Sequence, residues 1–171
     1  MTMSLVETID VGAAVASIQF ASIPQDAADL RILLSGRATS SDYQVRLDLQ
    51  FNNDTTTSYG YVYITSYNGN IQAVQGSSSS VISVQTMIPG SLSGTGNYSN
   101  CVVDLPNYTS NQAKRVGFQG AGSTNLSAPA AAGIMAGYWN KTDAITSVTL
   151  KHSGGNFAQY STASLYKITN S

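Results

Sequence analysis

Few side chains in this sequence could carry out catalytic chemistry. The 171 residues contain one histidine, His152, one cysteine, Cys101, and nine acidic residues, of which Glu7 is the only glutamate. Hydrolysis of a glycosidic bond requires two carboxyl groups across a cleft, and no sequence motif brings two of these acids together. His152 precedes Ser-Gly-Gly at 153 to 155, which predicts exposed turn surface rather than a catalytic base. The sequence therefore indicates a protein that is not an enzyme.

Metal and cofactor motifs are also missing from the sequence. There is no calcium loop with alternating acids, no HExxH and no CxxC, so we expect no metal site. The segment GAGSTN at 120 to 125 begins like a dinucleotide-binding loop but lacks its last glycine, and no Gly-x-Ser-x-Gly elbow is present. We therefore predict that the protein uses no cofactor. Because Cys101 is alone, no intrachain disulfide can form.

The charge content is low and balanced. Charged residues make up 10% of the chain, the formal net charge is −1, and the isoelectric point is about 5.6, whereas roughly 25% is usual for soluble proteins. Lys114-Arg115 is the only adjacent basic pair, and such a pair predicts solvated surface. Nucleic-acid binding is excluded because it requires clustered basic residues. A neutral surface is typical of a protein packed in an assembly.

No targeting or membrane segment is recognisable. The N-terminal residues MTMSLVETID lack the charged and apolar regions of a signal peptide, and no apolar run approaches the roughly 20 residues of a membrane helix. We expect a protein made in the cytoplasm and not secreted through a signal peptide, without a membrane partner.

Residues 43 to 52, YQVRLDLQFN, are the strand around which the fold must be organised. Tyr43, Val45, Leu47, Leu49 and Phe51 alternate with polar residues, which is the period of a half-buried strand. A slip of one residue would bury polar and charged side chains, so the register is fixed.

The rest of the chain predicts short strands and little helix. Ser and Thr supply 40 of the 171 residues, and these residues favour strands and turns over helix interiors. We predict one all-β domain over residues 1–171, an antiparallel β-sandwich of the jelly-roll type with about ten strands. The strand at 30 to 34 is expected to join the organising strand in a meander, and Asn68-Gly69 is expected to form the turn of a hairpin. Residues 76 to 80 are predicted to be a flexible loop. Residues 120 to 133 are predicted to be a long surface loop or arm.

Four aromatic residues are candidate contact residues. Tyr59, Tyr61 and Tyr63 fall on one face of a predicted strand, with Val62 on the other. These tyrosines either make cross-strand pairs on the sheet or form a contact surface for a sugar or a neighbouring subunit. Trp139 is the fourth candidate, as a stacking platform.

Residues 137 to 168 resemble a module found in virion proteins of tailed bacteriophages. The strand sequence AITSVTL at 144 to 150 is followed by a turn with Gly155, Asn156 and Phe157 and by a closing strand that ends in LYKI. Segments at 18 to 24, 30 to 37, 49 to 54 and 104 to 108 stand in the same order as in similar proteins. Gln159-Tyr160 departs from the pattern, which more often has a glycine there.

The resembling turn has a physical interpretation. Gly155-Asn156 permits a positive φ, Phe157 can fold back over the end of the sandwich, and the two flanking strands are expected to pair with each other.

The resemblance implies a virion protein without fixing its position. We expect a non-enzymatic capsid decoration, or cement, protein that forms a homotrimer and binds the major capsid protein or other virion proteins. The alternative is a tail-fibre or tail-tip module that binds a host-surface carbohydrate through exposed aromatic residues.

Overall fold

The computed structural model describes residues 1–67, 69–122 and 130–169, and the side chains of all of these except residues 85–87. Twelve strands lie in these ranges, as expected for a chain rich in short alternating segments. They are β1 (Thr2–Asp10), β2 (Ser17–Phe20), β3 (Asp29–Ser35), β4 (Gln44–Phe51), β5 (Tyr59–Tyr67), β6 (Asn70–Ser79), β7 (Ile82–Pro89), β8 (Asn100–Leu105), β9 (Lys114–Gly122), β10 (Ala131–Trp139), β11 (Val148–His152) and β12 (Thr162–Thr169). The described helical content is one short turn at Ser91–Ser93, and no described helix has the length and apolarity to span a membrane.

The strands form two antiparallel sheets whose connectivity is that of a jelly roll. The larger sheet has the order β1-β12-β3-β8-β9-β10-β5-β6, and the smaller one β2-β11-β4-β7. Eight strands form the roll. Strands from the start of the chain pair with strands from its end, working inwards: β1 with β12, β2 with β11, β3 with β8 and β4 with β7. This is a chain folded back on itself and wrapped into two sheets. The predicted sandwich is confirmed.

Two hairpin-forming pairs are added to the roll. Strands β5 and β6 follow β4, strands β9 and β10 follow β8, and all four extend the larger sheet beyond β8. The larger sheet is therefore twice as wide as the smaller one in strand number. Among the described strands, β6 pairs only with β5, and its residues lie almost entirely in solvent.

The core lies between the sheets, and β4 is central to it as predicted. Val45, Leu47, Leu49 and Phe51 are all buried, and burying each contributes roughly 1.5–3 kcal/mol. Tyr43 lies before the strand and is exposed. The strand is held between β11 and β7 in the smaller sheet, so its register is fixed by neighbours on both sides.

Several connections differ from those predicted. Strands β3 and β4 lie in different sheets, so they form no meander, because a jelly roll sends successive strands to alternate sheets. Residues 76 to 79 belong to β6 rather than to a loop, since pairing with β5 satisfies their backbone. Residues 120 to 133 were predicted to be a loop, but most of the described residues in this range belong to strands. β9 ends at Gly122 and β10 begins at Ala131. Residues 123–129 lie outside the described ranges. The hairpin of β5 and β6 is confirmed, although Asn68 itself is not described.

A turn lies between β11 and β12 as predicted, but its role differs from the prediction. Gly155 has φ +73°, and a Cβ there would lie 2.7 Å from the backbone nitrogen of Ser40. Phe157 is fully buried and bridges Val15 and Ala38, as expected of a side chain that closes the end of the sandwich. The predicted pairing of the flanking strands is wrong, because β11 and β12 belong to different sheets. The segment carries the chain from one sheet to the other.

Candidate contact surface

The aromatic residues predicted as a contact surface face mainly into the core. Tyr59, Tyr63 and Trp139 are at most 4% exposed, so these three cannot act as stacking platforms. Tyr61 is partly buried, and its ring stacks on that of Tyr63 with centroids 6.0 Å apart. The stripe therefore makes packing contacts, which is the first of the two interpretations. The reason is that β5 presents its tyrosines to the smaller sheet and its aliphatic residues to solvent.

The polar atoms of these buried aromatics are satisfied inside the protein. The indole nitrogen of Trp139 donates to Asp54 Oδ2 at 2.7 Å, and the Tyr59 hydroxyl donates to the Phe51 carbonyl at 3.2 Å. Partial burial of Asp54 favours its neutral form, but hydrogen bonds from Thr56, Trp139 and Ser58 outweigh this and lower the pKa of its carboxyl to about 2. Asp54 is thus an anion that holds Trp139 in place, not a candidate proton donor.

An apolar surface lies on the opposite side of the same strands. Six aliphatic side chains of the larger sheet point away from the core, and we call this set the outer apolar face: Leu33, Val62, Ile64, Ile71, Val102 and Ile134. Ile134 and Ile64 are cross-strand partners and are 60% and 49% exposed. In the same row, the exposed Gln119 separates Ile134 from Val102 and Leu33. A cluster of exposed aliphatic side chains is typical of an interaction site.

The outer apolar face is concave and uncharged. A trough of about 550 Å³ runs across it, with Ile64, Ile71 and Ile134 among its lining residues. None of its lining residues is ionisable. Charges begin only at its borders, where Arg31 and Asp104 form an ion pair at 2.7 Å on one side and Arg115 lies 5.9 Å from the Tyr138 ring on the other. The face can therefore be desolvated without burying a charge.

A second hollow adjoins the outer apolar face. It has a volume of about 500 Å³ and is lined by Tyr61, Tyr138 and Arg115 together with small residues of β6 and β10. The Tyr138 ring lies directly over Gly60, where a Cβ would come within 2.4 Å of it. Tyr138 is 37% exposed, so its aromatic ring is accessible to a ligand in this hollow.

The described residues do not assemble a metal-binding group, and the single histidine and the single cysteine are both covered by other residues. Within residues 1–67, 69–122 and 130–169, no cluster of three or more His, Cys, Asp or Glu could hold a metal ion. His152 is not on the exposed surface as predicted, since its ring is half-buried against Phe157 with centroids 3.8 Å apart. Cys101 is buried, and burial raises the pKa of its thiol to about 12, so it is no nucleophile at neutral pH.

Lys114 is buried rather than solvated, contrary to the prediction. It is 1% exposed, and its ammonium donates to the carbonyl oxygens of Ser110 and Gln112 at 2.6 Å each and of Thr142 at 3.4 Å. Burial lowers its pKa, and Asp143 opposes that shift. The lysine ties together two loops at one end of the sandwich, so its role is structural.

Comparisons with protein-family models, with curated proteins and with solved structures found no match to this chain. The fold and the surface therefore define the protein only as an all-β jelly roll with an exposed apolar face.

Sequence reasoning missed the outer apolar face although a signal was present. Val62 and Ile64 alternate with the tyrosines of β5, so both faces of that strand are apolar in sequence. The same alternation occurs in β10, where Ile134 is exposed on one face of the strand and the next residue, Met135, is buried on the other. Such doubly apolar strands indicate that one face is covered by something other than the core.

Proposed function

We propose that the protein is a non-enzymatic structural protein of a bacteriophage virion, a capsid decoration protein that cements neighbouring shell subunits. The observation that carries this proposal is the outer apolar face, which is broad, concave and without charge. Cementing requires only that such a surface be buried against neighbours, and many identical copies multiply the effect of each contact. The jelly roll supports the proposal, since viral capsid domains are built on it, and so does the resemblance at residues 137 to 168.

The outer apolar face would bind other virion proteins, with the major capsid protein as the main partner. Copies of the chain would form the trimer predicted from the sequence when they assemble on the capsid exterior. The face provides aliphatic contacts at its centre and an ion pair at its border, which is the arrangement of protein interfaces in general. No step of this role requires a cofactor or a catalytic group.

The test has two parts. Quantitative mass spectrometry of purified virions should give a copy number close to that of the major capsid protein, and a handful of copies per virion would exclude a cementing role. Binding of the purified protein to particles that lack it should be abolished by Ile134→Asp, which places a charge at the centre of the outer apolar face. Thr57→Asp, at an exposed loop position, is the matched control and should bind like wild type. Wild-type binding by the Ile134→Asp variant would exclude this face as the contact.

The second hollow supports an alternative, a tail module that binds a host-surface carbohydrate. Tyr138 offers an accessible ring, and Arg115 beside it could donate hydrogen bonds to sugar hydroxyls. Under this alternative, glycan-array binding would be lost in Tyr138→Ala. Trp139→Ala is unsuitable for this test because Trp139 lies in the core.

A further inference from the structure

The free edge of β6 differs from the other edges of the two sheets. β6 is ten residues long and pairs with β5 on one side, and among the described strands it has no partner on the other. It contains neither a charged residue nor a proline. Ile71 is 79% exposed and Val74 39%. A long, uncharged edge that carries exposed aliphatic side chains presents a row of backbone groups to which another strand can hydrogen-bond.

The three other edges of these sheets carry features that oppose pairing. β1 contains Glu7 and Asp10 and has an irregularity between Leu5 and Glu7. β2 is only four residues long. β7 ends at Pro89, and its pairing with β4 shifts register. Short length, charge, proline and bulges are the means by which proteins block edge-to-edge association. Among these four edge strands, only β6 has a stretch, residues 71 to 75, without any of these features. The register shift in its pairing with β5 lies beyond Gly76.

We propose that β6 pairs with the β6 strand of a second copy of this chain, antiparallel about a two-fold axis, so that two larger sheets become one continuous sheet. A two-fold axis brings a strand against itself, so any charge on it would oppose or closely neighbour its own copy. β6 avoids this penalty along all ten residues. Backbone hydrogen bonds provide the affinity of such an added strand.

This pairing concerns the sheet edge and is independent of the cementing role. It would also bring the outer apolar faces of two copies side by side, because Ala73 of β6 stands in register with Ile64. A heterologous contact of β6 with β1 of the next copy is disfavoured for two reasons. It closes into a ring only at particular rotations and otherwise builds an open filament. The irregularity of β1 also interrupts the edge to which β6 would bind.

The test uses opposite charges at Ala73, an exposed position on β6. Away from the virion, the wild-type chain should be a dimer by sedimentation velocity at high concentration. Ala73→Glu and Ala73→Lys, each alone, should weaken dimerisation by roughly tenfold or more, because like charges are brought together. An equimolar mixture of the two variants should recover the dimer. Ala14→Glu, at an exposed loop position, makes the same change in net charge and should dimerise like wild type.

Circular dichroism and thermal melting should give wild-type curves for both Ala73 variants. If either variant fails to fold, the same pair of charges is placed at Gln75, which is also exposed. A monomeric wild type, a dimer that survives Ala73→Glu, or charge variants that do not recover on mixing would each overturn the two-fold pairing. Association that Ala73→Lys strengthens would instead indicate contact with the acidic strand β1. Virion copy number is unaffected by any of these results, so the two proposals fail separately.

Discussion

Lowering the pH should destabilise this protein through His152. The ring is half-buried against Phe157, and neither ring nitrogen makes a hydrogen bond. Burial lowers its pKa from 6.5 to about 4, and the nearby Arg46 backbone acts in the opposite direction. A free histidine in the unfolded chain takes up its proton near pH 6.5, whereas the folded protein resists protonation until about pH 4. Folding stability from this residue is therefore complete above pH 6.5 and is lost as the pH falls towards 4.

The size of the effect follows from the pKa difference. At about 1.4 kcal/mol for each unit of pKa, the full loss is roughly 3 kcal/mol, with most of it expected by about pH 4.5. Carboxyl groups also titrate in this range, so the wild type must be compared with His152→Leu, which keeps an apolar side chain against Phe157 and has no titrating group. The difference between the two free energies of unfolding should change by roughly 2–3 kcal/mol between about pH 7.5 and pH 4.5.

The measurement is denaturant unfolding followed by circular dichroism at a series of pH values. Titration of the single imidazole by NMR gives the folded-state pKa independently. Parallel stability curves for the two proteins, or an imidazole that titrates near its ordinary value, would show that His152 is not buried in the way described.

Three further predictions concern the fold. Leu47→Asp should prevent folding, because it removes a buried leucine worth roughly 2–5 kcal/mol and places a carboxylate in the core; soluble protein with an unchanged melting curve would refute the assignment of β4. Gly90→Ala should lower the free energy of unfolding by roughly 1–3 kcal/mol, since its Cβ would lie 2.2 Å from the Asp42 carbonyl oxygen. Gly12→Ala, with open space around it, is the control and should melt like wild type; equal effects at the two glycines would contradict the packing. Tyr160→Gly should raise the free energy of unfolding by about 0.5 kcal/mol, because Tyr160 has φ +68° and relief of that strain exceeds the entropic cost of glycine; a lower melting temperature would show that the exposed ring contributes more than the strain costs.

The sequence was most informative where only one face of a strand is apolar. The alternation in β4 predicted both its position and its buried residues, because a slip would have placed Arg46 or Asp48 in the core. The sequence was less informative at Tyr160, which has φ +68°. A tyrosine rarely adopts this conformation, so its residue type gave no signal of the backbone requirement there.

The pairing of strands and the orientation of doubly apolar strands could not be predicted. In β5 the tyrosines and the aliphatic residues are equally suited to a sheet, so only the position of the smaller sheet decides that Tyr63 is buried and Ile64 exposed. Likewise, β11 and β12 follow each other closely, but the wrapped chain places them in different sheets. The buried position of Lys114 depends on two loops brought together by the fold.

The antiparallel pairing of β1 with β12 has a practical consequence for labelling. Thr2 lies opposite Thr169, so the first and last described strands meet with their Cα atoms roughly 5 Å apart. A fluorophore attached at Thr2 or at Thr169 would lie near one margin of the larger sheet. That margin is seven strand spacings, roughly 34 Å, from β6. Labels at these two positions would thus report on a single location, and a label on β6 would report on the opposite margin.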